Sequence, residues 1–151
     1  MNFPDFTALK ESVGLQLPPS EWITVTQHMI NSFAEGTDDH QWIHVDVEKA
    51  KEHSPFKTTV AHGFLSISLL ARLLRSMIKV ETGKLAINYG LNKVRFPAPV
   101  PVNSRLRLHC KISEIRDYAQ NGLKVTWRFS LEIEGNKKPA CMGEWITLMF
   151  D

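Results

Sequence analysis

Between Gly63 and Lys79 the chain carries a segment so apolar that it predicts a helix buried on most of its sides. Arg72 and Arg75 interrupt the segment well before the roughly 20 apolar residues that a membrane span needs. Together with Lys79 they form the single polar edge of the predicted helix. The apolar positions are Phe64, Leu65, Ile67, Leu69, Leu70, Ala71, Leu73, Leu74, Met77 and Ile78.

After this helix, apolar residues recur at every second position, which is typical of half-buried strands. In the first strand the apolar residues up to Leu91 have odd numbers, whereas Val94 and Phe96 have even numbers. A β-bulge near Asn92-Lys93 would bring both sets to the same face of the sheet, so we expect one there. In the second strand, Cys110 alternates with basic residues and is expected in the core. The four predicted strands lie at about 85–96, 104–117, 123–134 and 139–150.

One buried helix followed by four consecutive strands predicts an α+β fold. We expect the helix to lie lengthwise in the concave face of an antiparallel sheet. A sheet with so few strands leaves an edge to protect, and two subunits can protect it by pairing into a longer sheet.

The part of the chain before the buried helix also shows an internal division. Residues 1–20 end in a proline-rich connector and are predicted as an N-terminal extension, and residues 21–151 as a single domain. Thr26 is a candidate N-cap for a helix that Gly36 ends. A second short helix is predicted at 48–53, before a proline.

Length, charge and cysteine content narrow the class of protein. The 151 residues suffice for one domain with its own core. The net charge of +2 is spread over the chain with no run of five or more like charges, so neither nucleic acid nor a membrane is an expected partner. The first residues lack the features of a signal peptide, which favours a cytoplasmic location. Cys110 and Cys141 lack the spacing of a disulfide framework or a zinc site.

Asp39 and His44 are the first candidates for chemistry, and the preceding glycine predicts that both lie on a loop. A carboxylate and an imidazole that converge on one water can share its deprotonation and the return of a proton. Histidine suits this role because its ordinary pKa of about 6.5 lies near working pH. The spacing alone equally fits two loop residues that make local hydrogen bonds.

Ala61-His62-Gly63, at the start of the buried helix, is the second candidate element. Gly63 has no side chain to obstruct a ligand, and its N–H is among the unpaired donors of the first helical turn. A carbonyl docked there would be polarised by this N–H and by the positive end of the helix dipole. The alternative is that Gly63 only permits close packing at the helix entrance.

Three stretches of the chain together resemble the MaoC-type (R)-specific enoyl-CoA hydratases, and within them most closely the nodulation protein N branch. The resemblance extends over roughly residues 20 to 150. It implies the hot-dog fold, in which an antiparallel sheet wraps a long helix, and assembly as a homodimer or a higher homo-oligomer. The stretches are Phe33 to His44, Ala61-His62-Gly63-Phe64-Leu65, and Val94-Arg95-Phe96-Pro97-Ala98-Pro99-Val100.

The family's catalytic loop has the form Gly-Asp-x-Asn-Pro-(aliphatic)-His, and the resemblance carries its pair over to Asp39 and His44. The family's oxyanion glycine corresponds to Gly63. The chain departs from the pattern twice: Asp38 stands where glycine is usual, and Gln41-Trp42 replaces Asn-Pro. The nodulation protein N branch shares the second departure, and the resemblance leaves its substrate open.

The implied activity is (R)-specific hydration of trans-2-enoyl thioesters, or the reverse dehydration of 3-hydroxyacyl thioesters. Asp39 and His44 would hold the water, while Gly63 N–H holds the thioester carbonyl. The resemblance implies no metal or organic cofactor, and the substrate would be an acyl-CoA or acyl-ACP thioester. Trp42 and His62 are candidate residues of the substrate pocket.

Three other interpretations stay open at this point. Related hot-dog proteins hydrolyse acyl-CoA with a differently placed carboxylate, so an acyl-CoA thioesterase is one alternative. A non-catalytic protein that only binds acyl thioesters is another. A metal site is the third, because His40 and His44 are four positions apart and Asp39 is adjacent, although no further ligand lies at a recognisable interval.

Overall fold

The computed structural model describes residues 1–151. None of its helices has the length and hydropathy that a membrane crossing requires. In chain order the elements are β1 (Asn2–Phe3), α1 (Phe6–Lys10), β2 (Ile23–Thr24), α2 (Gln27–Thr37), α3 (Trp42–Val45), α4 (Val47–His53), α5 (Gly63–Met77), β3 (Lys79–Val80), β4 (Leu85–Arg95), β5 (Arg105–Tyr118), β6 (Gly122–Ile133) and β7 (Cys141–Phe150).

The four strands predicted from the alternating pattern form one antiparallel sheet together with β2. The order in the sheet is β2-β5-β6-β7-β4, so the first long strand pairs with the last one at the far edge. Trp127 and Trp145 lie opposite each other on β6 and β7, and both are buried. All four strands begin and end within two residues of their predicted bounds, which confirms them.

Helix α5 is the predicted buried helix, and it packs against this sheet. Leu70 and Leu73 of α5 share one core with Leu108 and Cys110 of β5, as the burial pattern requires. The α+β hot-dog prediction is therefore confirmed. Phe64, in the first turn, is the exception to the predicted burial, because 71% of it is exposed.

The bulge predicted in β4 is present. The pairing of β4 with β7 shifts between Asn92 and Arg95, and Lys93 has a φ of 51°. A second shift, between Asn88 and Gly90, was not predicted. The apolar residues keep their alternation across this second shift, so the sequence contains no sign of it.

Helix α2 begins as predicted but continues beyond its predicted end. Thr26 Oγ1 accepts the hydrogen bond of Met29 N–H at 3.2 Å, which makes Thr26 the N-cap. Gly36 lies inside the helix, where glycine is tolerated at a modest cost. The residue that ends the helix is Asp38, because its φ of 57° lies in the left-handed region.

Residues 1–20 are packed onto the rest of the chain. Strand β1 pairs in parallel with β3, directly after α5. Phe6, Leu9 and Leu17 are buried in the same core as the long helix. The core therefore includes side chains from the beginning of the chain.

The two edges of the sheet differ in length and chemistry. One edge is the short strand β2, whereas the other is the whole of β4, which pairs only with β7. Four alternating apolar residues of β4 are between 43% and 53% exposed. They are Leu85, Ile87, Tyr89 and Leu91. A long edge of this kind is a surface that proteins normally cover.

Candidate active site

Asp39 lies in the connection between α2 and α3. The N–H groups of Asp38 and Asp39 both donate to the carbonyl of Ala34, the second at 3.2 Å, so the turn places Asp39 tightly against the end of α2. Asp38 thus forms the turn in which the resemblance led us to expect glycine. Its carboxylate is 99% exposed and lies 3.6 Å from His40 Nε2, whereas the Asp39 carboxylate is 54% exposed.

We predicted that His44 lies on a loop, but the structure places it on the short helix α3. This single turn is closed by a hydrogen bond of 3.0 Å from Asp46 N–H to the Trp42 carbonyl, and a turn so short leaves no periodicity in the sequence. The His44 side chain is buried, and its Nδ1 lies 2.6 Å from the carbonyl oxygen of Val60. A carbonyl only accepts, so Nδ1 carries the hydrogen and Nε2 keeps a free lone pair.

Polar contacts behind His44 hold α3 in place. Gln27 Nε2 donates to the His44 carbonyl at 2.8 Å, and the buried Thr59 hydroxyl donates to Gln27 Oε1 at 2.5 Å. Val60 N–H donates to the Ile43 carbonyl at 3.0 Å. Gln27, Thr59 and Val60 were not predicted, because they lie 15 or more positions from His44 in no recognisable motif.

His62, predicted as a residue of the substrate pocket, lies directly against the Asp39–His44 pair. It precedes α5, is only 3% exposed, and stacks on the His44 ring with 3.8 Å between centroids and 26° between planes. Its Nε2 lies 3.0 Å from the main-chain oxygen of Asp39. One carboxylate oxygen of Asp39 and one ring nitrogen of each histidine lie within 4.8 Å of one another. We call Asp39, His44 and His62 the helix-entry cluster.

Gly63 is the first residue of α5, and its N–H makes no hydrogen bond within the chain. A Cβ at this position would lie 3.0 Å from Cε1 of Phe96, so a side chain here would displace that ring. Gly63 lines a mostly apolar cavity of about 240 Å³. The lining of this cavity includes the hydroxyl of the buried Ser66. The hydroxyls of Ser68 and Ser76 donate hydrogen bonds to carbonyls of α5, whereas that of Ser66 does not.

Trp42, the other residue predicted for a substrate pocket, is half-buried on α3. Lys49 of α4 places its Nζ 5.2 Å from the centre of the Trp42 ring. The cavity beside Gly63 does not include Trp42. The structure therefore brings Asp39, His44, His62 and Gly63 to the entrance of α5 and leaves Trp42 packed beside α4.

The environment of His44 favours its neutral form. Burial lowers the pKa of His44 below its ordinary value of 6.5, the hydrogen bond to Val60 raises it, and the neighbouring His62 lowers it again. Asp39 raises it by charge attraction, but the net effect is a lowered pKa. A neutral imidazole whose Nε2 is free can accept a proton, which is what a general base must do.

The helix-entry cluster also has the composition of a two-histidine, one-carboxylate metal site. The two imidazole rings are stacked, with 26° between their planes. Nδ1 of His44 and Nε2 of His62 are engaged with backbone carbonyls. His40, which we considered as a ligand, instead lies near Asp38 and Glu35.

A helix held in an antiparallel sheet, with a histidine and a carboxylate at the helix entrance, defines a hot-dog protein of the dehydratase type. The chain belongs to the MaoC-like dehydratase family, since the MaoC like domain matches residues 9–131. This match confirms the family that the sequence motifs predicted.

The chain is also similar to individual proteins, two of them in sequence and one in structure. It is 48% identical over 145 residues to 3-hydroxyacyl-thioester dehydratase Z of Mycobacterium tuberculosis, covering 96% of this chain and 95% of the relative. It is 43% identical over 138 residues to nodulation protein N of Rhizobium leguminosarum bv. viciae, covering 91% and 86%. A solved structure of a monoamine oxidase regulatory protein from Archaeoglobus fulgius superposes with a TM-score of 0.79, at 24% identity and 99% and 95% coverage. This last likeness concerns the fold alone.

Proposed function

We propose that the chain catalyses (R)-specific hydration of trans-2-enoyl thioesters, or the reverse dehydration of 3-hydroxyacyl thioesters. One observation carries the proposal: His44 has a free Nε2 beside the Asp39 carboxylate, at the positive end of α5. The similarity to a 3-hydroxyacyl-thioester dehydratase over nearly the whole chain supports the substrate class. The carrier is coenzyme A or acyl carrier protein.

In the hydration direction, the Asp39 carboxylate and His44 Nε2 hold one water. His44 Nε2 takes a proton from the water while the water oxygen bonds to Cβ of the enoyl group. The electron pair of the Cα=Cβ bond moves towards the carbonyl and forms an enolate. The imidazolium then returns the proton to Cα on the same face, and Asp39 stabilises the transient positive charge. Dehydration follows the same steps in reverse.

The enolate oxygen in this mechanism is held by Gly63. Its N–H has no partner within the chain, and it lies in the first turn of α5, where the helix dipole is positive. A donor fixed in advance at the developing negative charge lowers the barrier to reaction. The apolar cavity beside Gly63 suits the acyl part of the substrate, and Ser66 provides a hydroxyl for a polar atom of it.

The test separates hydration from the two alternatives. Purified protein is mixed with trans-2-enoyl-CoA substrates of short, medium and long chains, and both enoyl absorbance and free thiol are followed. We expect loss of enoyl absorbance without thiol release, and a product of (R) configuration. Thiol release would instead indicate a thioesterase. Saturable binding without either change would indicate a protein that only binds acyl thioesters.

We further propose that two copies of the chain pair through β4 and form a homodimer. The support is the long, unpaired outer edge of β4 and its exposed apolar side chains. Light scattering during gel filtration should give twice the chain mass for the wild type and the single mass for Ile87→Lys with Leu91→Lys. Thr24→Lys, on the opposite edge, is the control and should remain dimeric. A monomeric wild type would contradict the proposal.

The proposal also includes the cytoplasmic location predicted from the sequence, which cell fractionation would test. Recovery of the protein outside the cytoplasmic fraction would contradict it.

A further inference from the structure

The position of His62 in the core does not by itself require an imidazole. It occupies the N-cap position of α5, but its side chain does not cap the helix. The ring is 3% exposed and lies between two aromatic contacts, Phe33 at 4.9 Å and His44 at 3.8 Å between ring centroids. An apolar ring would fill this space equally well, so packing alone does not explain the histidine.

The hydrogen bonds of His62 define its tautomer. Nε2 lies 3.0 Å from the main-chain oxygen of Asp39, which only accepts, so Nε2 carries the hydrogen. In the neutral ring Nδ1 is then an unprotonated acceptor, and it is buried without a partner. A buried polar atom without a partner destabilises the folded state. This cost implies a benefit that His62 provides to its neighbours.

Both neighbours of His62 belong to the proposed reaction. Its Nε2–H bonds the main chain of Asp39, and its ring face covers the ring of His44. The Asp39 carboxylate itself is 54% exposed and lies 4.0 Å from His62 Nε2, so the main-chain bond is its firmest link to the buried part of the cluster. One side chain thus holds both members of the pair.

We infer that His62 is a positioning residue, which fixes Asp39 through its backbone carbonyl and His44 through ring stacking. The inference rests on the proposed function of the Asp39–His44 pair. Of the titratable groups beside His44, His62 lowers the pKa of that imidazole and Asp39 raises it. Removal of the His62 imidazole should therefore loosen the pair and also raise the pKa of His44.

Two variants separate the roles of His62. His62→Phe keeps an aromatic face but loses the donor, while His62→Gln loses the ring and keeps an N–H near the position of Nε2. We expect kcat for enoyl-thioester hydration to fall about 10- to 100-fold in His62→Phe, because small misplacements of reacting groups cost this much. KM should change less than about threefold, and His62→Gln should retain more of kcat. His40→Phe, on the exposed loop, is the matched control.

The pH profile distinguishes positioning from simple structural support. In both His62 variants the acid limb of kcat should move to higher pH, because His44 no longer faces a second imidazole. Wild-type kcat with an unmoved limb in His62→Phe would overturn the inference. An equal loss in both variants, with the limb unmoved, would also overturn it.

Nuclear magnetic resonance keeps the test independent of activity. In the wild type, ring-nitrogen shifts should show His62 protonated at Nε2, and protonation at Nδ1 alone would contradict the inference. If the wild type hydrates no thioester, the proposed function fails while this test remains. The titration of His44 then decides, because its midpoint should be higher in His62→Phe than in the wild type, and an unchanged midpoint would overturn the inference.

Discussion

Histidine and carboxylate side chains meet at several places in this chain, and two of these clusters are built in opposite ways. On the outer face of the sheet, Glu132 accepts hydrogen bonds from Arg107 Nε and His109 Nε2, both at 2.6 Å. We call these three residues the sheet-face cluster. The bond from Arg107 and then that from His109 lower the pKa of Glu132. Each of the three side chains is about one third exposed.

In the helix-entry cluster the charged and polar groups do not satisfy one another. The ring N–H groups of His44 and His62 donate to backbone carbonyls, and the Asp39 carboxylate remains largely free. The lone pair of His44 Nε2 is therefore available to a substrate or a water. An exposed ion pair whose groups bond each other stabilises the folded protein only weakly. A group that lacks such a partner and is held in place by the backbone can instead react with a substrate.

The largest expected effect separates these two clusters directly. Asp39→Asn and His44→Ala should each lower kcat/KM for enoyl-thioester hydration about 10²- to 10⁴-fold, the usual contribution of general acid–base groups. Glu132→Gln and His109→Asn should stay within about twofold of the wild type. Initial rates, with circular dichroism to confirm folding, make the comparison. Similar losses in both clusters would show that the difference in hydrogen bonding has no functional meaning.

The next effect concerns the donor beside the helix-entry cluster. Gly63→Ala should lower kcat/KM on the order of 10²-fold, because its methyl group stands where the carbonyl must approach the N–H. Phe96 is 44% exposed, so its ring can move and the protein should still fold. Gly36→Ala is the matched control, since nothing lies within 4 Å of its added Cβ. Full activity in Gly63→Ala would show that the Gly63 N–H does not bind the carbonyl during the reaction.

The two clusters should also respond to different ranges of pH. The lowered pKa of His44 means that the hydration rate falls as the pH drops below 6.5, with a midpoint under that value. The folded chain binds a proton at His44 less readily than the unfolded chain does. The contribution of neutral His44 to the free energy of unfolding is therefore fully present above about pH 6.5, and it is lost as the pH falls through the lower pKa of the folded state. For Glu132 the stability is present above about 4.5 and is lost as the pH falls through the lower folded pKa.

Glu132→Gln tests whether these two ranges are independent. The variant should keep the acid limb of the rate profile and lose the stability change at more acidic pH. Rate profiles and denaturation curves of the wild type and the variant provide the comparison. A shift of the rate limb in Glu132→Gln would show that the two clusters are coupled.

The smallest effect is on stability at neutral pH. Glu132→Gln should lower the free energy of unfolding by at most about 1 kcal/mol, because a partly exposed ion pair contributes little. Denaturant unfolding at pH 7 measures the change, with Glu134→Gln on the neighbouring Arg105 pair as the control. A loss several times larger would mean that the sheet-face cluster is a structural element of the core.

The fold was predictable because its signals are local and repeated. The apolar run of α5 comes from burial on most sides of the helix, and the alternation in β5 and β6 comes from burial of one face of the sheet. Both patterns recur every few residues. The second irregularity of β4, at Asn88 and Gly90, was not predictable because both faces of that strand are exposed and no burial pattern constrains it.

The candidate site was predictable only in part. The motif resemblance brought Asp39, His44 and Gly63 forward, but it contained no information on the tautomer of His44. That tautomer depends on Val60, which lies 16 positions away and acts through its carbonyl, a group that every residue has. The stacking of His62 on His44 likewise depends on how α3 docks against the start of α5, which no local pattern records.

A double-mutant cycle tests most directly whether Asp39 and His44 act together on one water. The quantity to measure is kcat/KM for hydration of crotonyl-CoA by the wild type, Asp39→Asn, His44→Ala and the double variant, at one pH above 7. Residues that act as a unit give non-additive losses. We expect the double variant to be no slower than the slower single variant by more than about threefold. Losses that multiply in the double variant would show that the two residues act independently and would contradict the shared-water mechanism.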